Sequence, residues 1–171
     1  MWWSEPARRR SFLGALALPA LLAACGFTPL YGEGAPASRM AGRVEVAQLY
    51  GAAGFALREE LTGRLGPAAD PAYRLDVRLK LTRTGVALTQ QNVTTRFNVI
   101  GTATYALVPL AGGPAVAAGE VRAITGFSAP EAEISSAFAQ RAAEQDAEHR
   151  LAVELANRIL QRLALSAGTW A

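Results

Sequence analysis

The chain has 171 residues, of which 51% are hydrophobic and 18% are charged. This length and composition predict one compact domain with a short targeting segment and exclude a largely disordered protein. The formal net charge is +3, but three arginines and one glutamate lie in the first 24 residues, so 17 − 3 = 14 basic and 14 − 1 = 13 acidic residues remain beyond them. The overall charge therefore gives no support for a nucleic-acid partner.

The N-terminal segment has the pattern of a secretory signal peptide. Three arginines at 8–10 precede an apolar run over 12–24, which is followed by Cys25. The run is about 13 residues long, shorter than the ~20 that a membrane-spanning helix needs. Leu22-Ala-Ala-Cys25 resembles a lipobox, so we predict a signal peptide at 1–24 and lipid attachment to the Cys25 thiol. The alternative is a buried cysteine in an N-terminal helix, and ordinary secretion and twin-arginine export both stay open.

A proline- and glycine-rich tether and a first strand and helix follow the leader. We assign the lipidated tether to 25–42, since it has few large apolar residues. A strand is predicted over 43–50, where valines alternate with polar residues. From residue 53 the pattern is that of an amphipathic helix that ends at Gly66-Pro67. Its leucines recur at every fourth position: Leu57, Leu61 and Leu65.

Three segments with the two-residue period of a β-strand come next. They cover 73–82, 93–107 and about 116–127, and in the first two an apolar face alternates with a polar one. The third contains many alanines, so its facing stays open. The Gly-Gly-Pro connector at 112–114 predicts a hairpin and antiparallel pairing.

A long final helix is predicted from Ser128 to about residue 165. Ser128 and Glu131 have the spacing of a capping box, and Pro130 suits a first helical turn. An interruption near Ser135-Ser136 is left open. The apolar stripe of the helix is formed by Leu151, Leu155, Ile159 and Leu163.

These elements predict an α+β fold with the order β-α-β-β-β-α. We expect a two-layer sandwich in which two helices cover one face of a four-stranded, mostly antiparallel sheet. The domain is assigned to 43–166, with a C-terminal tail at 167–171. The side chains predicted to fill the core are Leu57, Leu61, Leu75, Val77, Leu79, Phe97, Val99, Leu155 and Ile159.

The sequence offers no recognisable catalytic or metal-binding constellation. His149 is the single histidine and lies among charged residues of the last helix. Cys25 is the single cysteine, so an internal disulfide and a multi-cysteine metal site are excluded. We therefore predict a protein without catalytic residues, metal or cofactor.

Two segments resemble a known family of envelope proteins. Cys25-Gly-Phe-Thr-Pro-Leu-Tyr-Gly32 resembles the mature start of the LptE lipopolysaccharide-assembly lipoproteins in their alphaproteobacterial form, and residues 138–160 are similar to the family's terminal helix. The resemblance implies a non-enzymatic lipoprotein on the periplasmic side of the outer membrane, anchored through Cys25. Gly26 agrees, because proteobacterial lipoproteins without aspartate there tend to reach the outer membrane. The implied role is to plug and help assemble the LptD-type β-barrel for lipopolysaccharide transport.

A polar strand face is compatible with contact to a polar barrel lumen or to an anionic lipid. We expect the contacts on or beside the outward face of the central hairpin, at Arg78, Lys80, Arg83, Thr94 and Arg96. Direct lipopolysaccharide binding stays open, because Thr89-Gln-Gln-Asn92 in the hairpin loop is neutral. An ordinary solvated sheet face is the alternative for these residues. The alternative function is an accessory periplasmic lipoprotein of another envelope transport complex.

Overall fold

The computed structural model describes residues 36–88, 94–128 and 134–170. The predicted signal peptide, Cys25, and the helix-capping positions Pro130 and Glu131 lie outside these ranges. Between short 3-10 helices at Pro36–Met40 and Ala167–Thr169, the described elements are β1 (Val44–Val46), α1 (Ala52–Leu65), β2 (Tyr73–Leu88), β3 (Thr94–Pro109), β4 (Ala117–Ser128) and α2 (Ile134–Ser166). The predicted order β-α-β-β-β-α is confirmed. The predicted start of the last helix at Ser128 is wrong, because Ser128 is the last residue of β4 and α2 is described from Ile134.

The four strands form one sheet in the order β1-β2-β3-β4. β2, β3 and β4 are antiparallel neighbours, whereas β1 pairs in parallel with β2, with Val44 opposite Tyr73. The parallel edge follows from the connection, because α1 carries the chain back to the end of the sheet where β1 began. β1 is also shorter than the predicted 43–50, and Gly51, at a φ of +80°, leads directly into α1.

Both helices cover the same face of the sheet, so the core lies between two layers. The buried leucines of α1 and the predicted apolar stripe of α2 meet the odd-numbered residues of β2, β3 and β4 and the two valines of β1, Val44 and Val46. Leu79 and Phe97 are only partly buried. For Leu79 the reason is that α2 lies over β3 and β4 and leaves the distal half of β2 less covered. The other seven predicted core side chains are buried.

Gly101, in the middle of β3, allows α2 to approach the sheet closely. A Cβ atom on this residue would lie 2.8 Å from Leu151 Cδ2 and 2.9 Å from Leu155 Cδ1. Both leucines are fully buried. The space that a side chain at position 101 would occupy is therefore filled by the apolar stripe of α2.

The C-terminal residues pack against the beginning of β2. Tyr73 Oη donates a hydrogen bond of 2.5 Å to the Trp170 carbonyl, and the two rings meet edge to face with centroids 5.1 Å apart. Trp170 Nε1 in turn donates to Ser166 Oγ at 3.0 Å. Met40 and Ala167 are buried as well, so the core extends beyond both ends of the domain that was predicted to span 43–166.

Candidate functional site

The sheet face away from the helices is a mostly polar surface that spans the strands of the sheet. We call it the open face; it is formed by Glu45 of β1 and by the even-numbered residues of β2 up to 84, of β3 from 96 and of β4. The register aligns these side chains in rows across the three strands. Three successive rows are Arg78–Thr104–Glu120, Lys80–Thr102–Arg122 and Thr82–Ile100–Ile124.

Positive charge is concentrated on the open face. Its charged residues are Glu45, Arg74, Asp76, Arg78, Lys80, Arg96, Glu120 and Arg122, which sum to 5 − 3 = +2. The two helices are balanced, with 2 − 2 = 0 on α1 and 4 − 4 = 0 on α2 when His149 is neutral. The described domain therefore presents an anion-attracting face on the sheet and a neutral face on the helices.

Three of the predicted contact residues lie on the open face. Arg78 and Lys80 are exposed in the central part of β2, and neither forms an ion pair with another described residue. Arg96 is exposed near the other end of the sheet, where it lines a depression of about 580 Å³. Thr94 begins β3, with Leu88 opposite it in the register.

Arg83 lies on the opposite side of the sheet, which corrects its predicted place beside the outward face. Its Nη1 atom donates to Glu144 Oε1 of α2 at 2.7 Å, and its guanidinium lies 5.5 Å from the centre of the Phe97 ring. The reason is the strand period, because Arg83 has the same parity as the buried Leu75 and pairs with Val99 of the core. Arg83 thus ties the central hairpin to the helix layer.

Two carboxylates of α2, those of Glu144 and Glu148, interact with Arg83 on the helix side of the sheet. Burial, and then the nearby Glu144 carboxylate, raise the pKa of Glu148, while the Arg83 guanidinium lowers it. Arg83 is therefore the cation that offsets two acidic side chains one helical turn apart. Its role in the described domain is to join secondary-structure elements.

Sequence reasoning missed Arg122, which joins Lys80 in the middle row of the open face. Because β4 contains many alanines, the sequence did not show which of its residues point toward the helices. The alternation of Glu120 and Arg122 with Val121 and Ala123 is the signal that could have revealed it, since the latter pair is buried.

A second polar surface is a groove of about 530 Å³ between β4 and the C-terminal half of α2. The groove is lined by Glu120, Val121, Arg122, Glu154, Asn157, Arg158, Gln161 and Arg162. Across the described ranges, no three potential metal ligands of the His, Cys, Asp or Glu type come together. None of the described helices is long and apolar enough to cross a membrane.

A family model described as LptE, lipopolysaccharide-assembly, matches residues 41–163. No curated protein matches the sequence. Among solved structures, the chain is similar to a candidate lipoprotein from Caulobacter crescentus CB15, with 21% identity and a TM-score of 0.62 over 81% of this chain and 99% of that one.

Two further solved structures share the fold. Rare lipoprotein B from Shewanella oneidensis is 16% identical, with a TM-score of 0.51 over 72% of this chain and 93% of that one. A minor lipoprotein from Acinetobacter baumannii is also 16% identical, with a TM-score of 0.51 over 72% and 89% of the two chains. At these identities, the similarity to solved structures supports the architecture, while the family match covers the four strands, α1 and all but the last three residues of α2.

Proposed function

This chain belongs to the LptE family of lipopolysaccharide-assembly proteins, and on that basis we propose that it plugs the lumen of an LptD-type outer-membrane β-barrel. The observation that carries the proposal is the open face. It is polar, exposed and positively charged, as a surface in contact with a polar barrel lumen or with anionic lipopolysaccharide should be.

The length of the domain also supports a plug. β2 and β3 have 16 residues each, so the hairpin is about 53 Å long at ~3.3 Å per residue. α2 has 33 residues and a length of about 50 Å at ~1.5 Å per residue. Both lengths exceed the ~25 Å apolar band of an outer-membrane barrel. A domain of this length could extend through the lumen and still reach into the periplasm.

We propose that Cys25 carries the lipid that holds the protein on the periplasmic side of the outer membrane. Cysteine is required because its thiol accepts the diacylglyceryl group, and several acyl chains give stable anchoring at roughly 0.8 kcal/mol for each buried CH₂. Mass spectrometry of the protein from its native host should find acyl chains on Cys25, and Cys25→Ala should abolish them. An unmodified mature cysteine would refute the anchor.

The plug proposal is tested by purification from detergent-solubilised membranes. The wild-type chain should bring down a large outer-membrane barrel, and the variant Arg78→Glu with Lys80→Glu should recover several-fold less of it, because it makes the open face acidic. Arg141→Glu, on the exposed surface of α2, is the matched control and should retain the barrel. Equal recovery with all three chains would refute contact through the open face. An inner-membrane complex in place of the barrel would support the accessory-lipoprotein function.

A further inference from the structure

β4 is an outer strand of the sheet, and no other described strand pairs with its outer edge. In an antiparallel strand, alternate residues direct both backbone groups to the same side. The carbonyls of Arg122 and Gly126 point away from β3, and the unbroken register puts Ile124, between them, on the same side. β4 has 12 residues, whereas β1, at the other edge, has three. A long edge of this kind can pair with a strand from another chain.

Two arginines of α2 occupy the edge of β4. Arg158 Nη1 donates to the carbonyl of Arg122 at 2.6 Å, and Arg150 Nη2 donates to the carbonyl of Gly126 at 3.2 Å. Each guanidinium is held at the same time by a carboxylate four residues earlier on the helix, Glu154 at 2.7 Å for Arg158 and Asp146 for Arg150. The ion pairs fix the side chains across the strand edge and leave other guanidinium nitrogens for the carbonyls.

The spacing on the helix matches the spacing on the strand. The two arginines are eight residues apart, which is about 12 Å along a helix at ~1.5 Å per residue. The two carbonyls are four residues apart, which is about 13 Å along a strand at ~3.3 Å per residue. One straight helix can therefore place both guanidinium groups on the same strand edge.

We propose that Arg150 and Arg158 prevent β4 from pairing with β4 of a second copy of this chain. An antiparallel pair centred on Ile124 would put Ile124 beside its own copy and Arg122 opposite Gly126 of the other chain. Such a pair is self-complementary and two-fold symmetric, and it would bring together two isoleucines that are each 60% exposed on the open face. The carbonyls of Arg122 and Gly126 are acceptors that this pair needs, and the arginines occupy both of them. The inference does not depend on the proposed function.

Disulfide trapping in the full-length chain tests the proposal in cells. A cysteine at Ile124 would face its copy at about 5.5 Å between Cα atoms in the symmetric pair, within the range for a disulfide. Ile124→Cys should give little cross-linked dimer alone. With Arg150→Ala and Arg158→Ala added, the dimer should increase at least about ten-fold, because even one lost hydrogen bond to a charged group gives about that change and the variant loses two in each chain.

Matched variants separate edge pairing from general aggregation. Thr82→Cys, on the open face of β2, should not cross-link when the same arginines are replaced, and Arg141→Ala should not promote cross-linking of Ile124→Cys. The chain with Cys25 alone gives the background. A second pair, Arg150→Gln with Arg158→Gln, keeps part of the side-chain packing and serves if the alanine variant fails a protease-resistance test of folding. A folded double variant without increased cross-linking, or equal cross-linking in the wild-type background, would overturn the proposal.

Discussion

Replacing Gly101 with alanine measures how closely α2 packs on β3. The added Cβ would lie 2.8 Å and 2.9 Å from methyl carbons of Leu151 and Leu155. Favourable carbon–carbon contacts lie at about 3.5–4.0 Å, so each leucine would have to retreat by about 0.6–1.2 Å. Both side chains are fully buried, and such overpacking costs about 1–3 kcal/mol. The lower backbone entropy of the unfolded alanine chain would offset about 0.4–1 kcal/mol.

The cost of overpacking exceeds this entropic offset, so Gly101→Ala should destabilise the protein. We expect Gly101→Ala to lower the free energy of unfolding by about 1–2 kcal/mol in urea titrations of the purified protein. Gly63→Ala is the control, because Gly63 is exposed in α1 and an added Cβ has no neighbour within 4 Å. It should raise the free energy by up to about 1 kcal/mol. A Gly101→Ala protein as stable as the wild type would refute the close packing of α2 on β3.

Three further predictions concern single contacts, each measured by urea unfolding. Arg83→Glu should lower the free energy of unfolding by about 1 kcal/mol, because an ion pair becomes a repulsion, and the swap with Glu144→Arg should recover the loss; no recovery would contradict the pair. Since the folded state raises the pKa of Glu148, Glu148→Gln should stabilise the protein at neutral pH, and the gain should vanish as the pH falls through that raised pKa. A stabilisation by Glu148→Gln that instead grows as the pH falls would contradict this prediction. Tyr73→Phe should cost about 1 kcal/mol by removing the bond to the Trp170 carbonyl, whereas an unchanged stability would show that this bond contributes nothing.

The periodic parts of the sequence predicted the fold well. Alternation in β2 and β3 identified their buried faces, and the four-residue spacing of leucines identified the core side of α1, because burial on one face imposes these periods. The interruption left open near Ser135 lies at the beginning of the described helix, because α2 begins at Ile134 and has no break from there to Ser166. A local pattern does not report the direction of a neighbouring strand, so the parallel pairing of β1 was not predicted.

The sequence predicted the position of a site residue correctly only where the alternation of polar and apolar residues along the strand showed which face of the sheet the residue occupies. Arg78, Lys80 and Arg96 lie on the open face because they have the parity opposite to the core residues. Arg83 was predicted to lie beside the open face because it is close to the hairpin loop. Its odd number, like that of Leu81, indicated instead that it faces the helices. Its partner Glu144 is 61 residues away in the sequence, and no local pattern could have paired the two.

The parallel pairing of β1 has a consequence for the order in which the domain assembles. β2, β3 and β4 are sequential neighbours, so they can form a meander by closing short connections. Val44 can meet Tyr73 only after the whole of α1 has been placed between them, and closing that longer loop costs more chain entropy. We therefore expect β1 to join last during folding and to open first in native-state hydrogen exchange, well before the amides at the centre of β3.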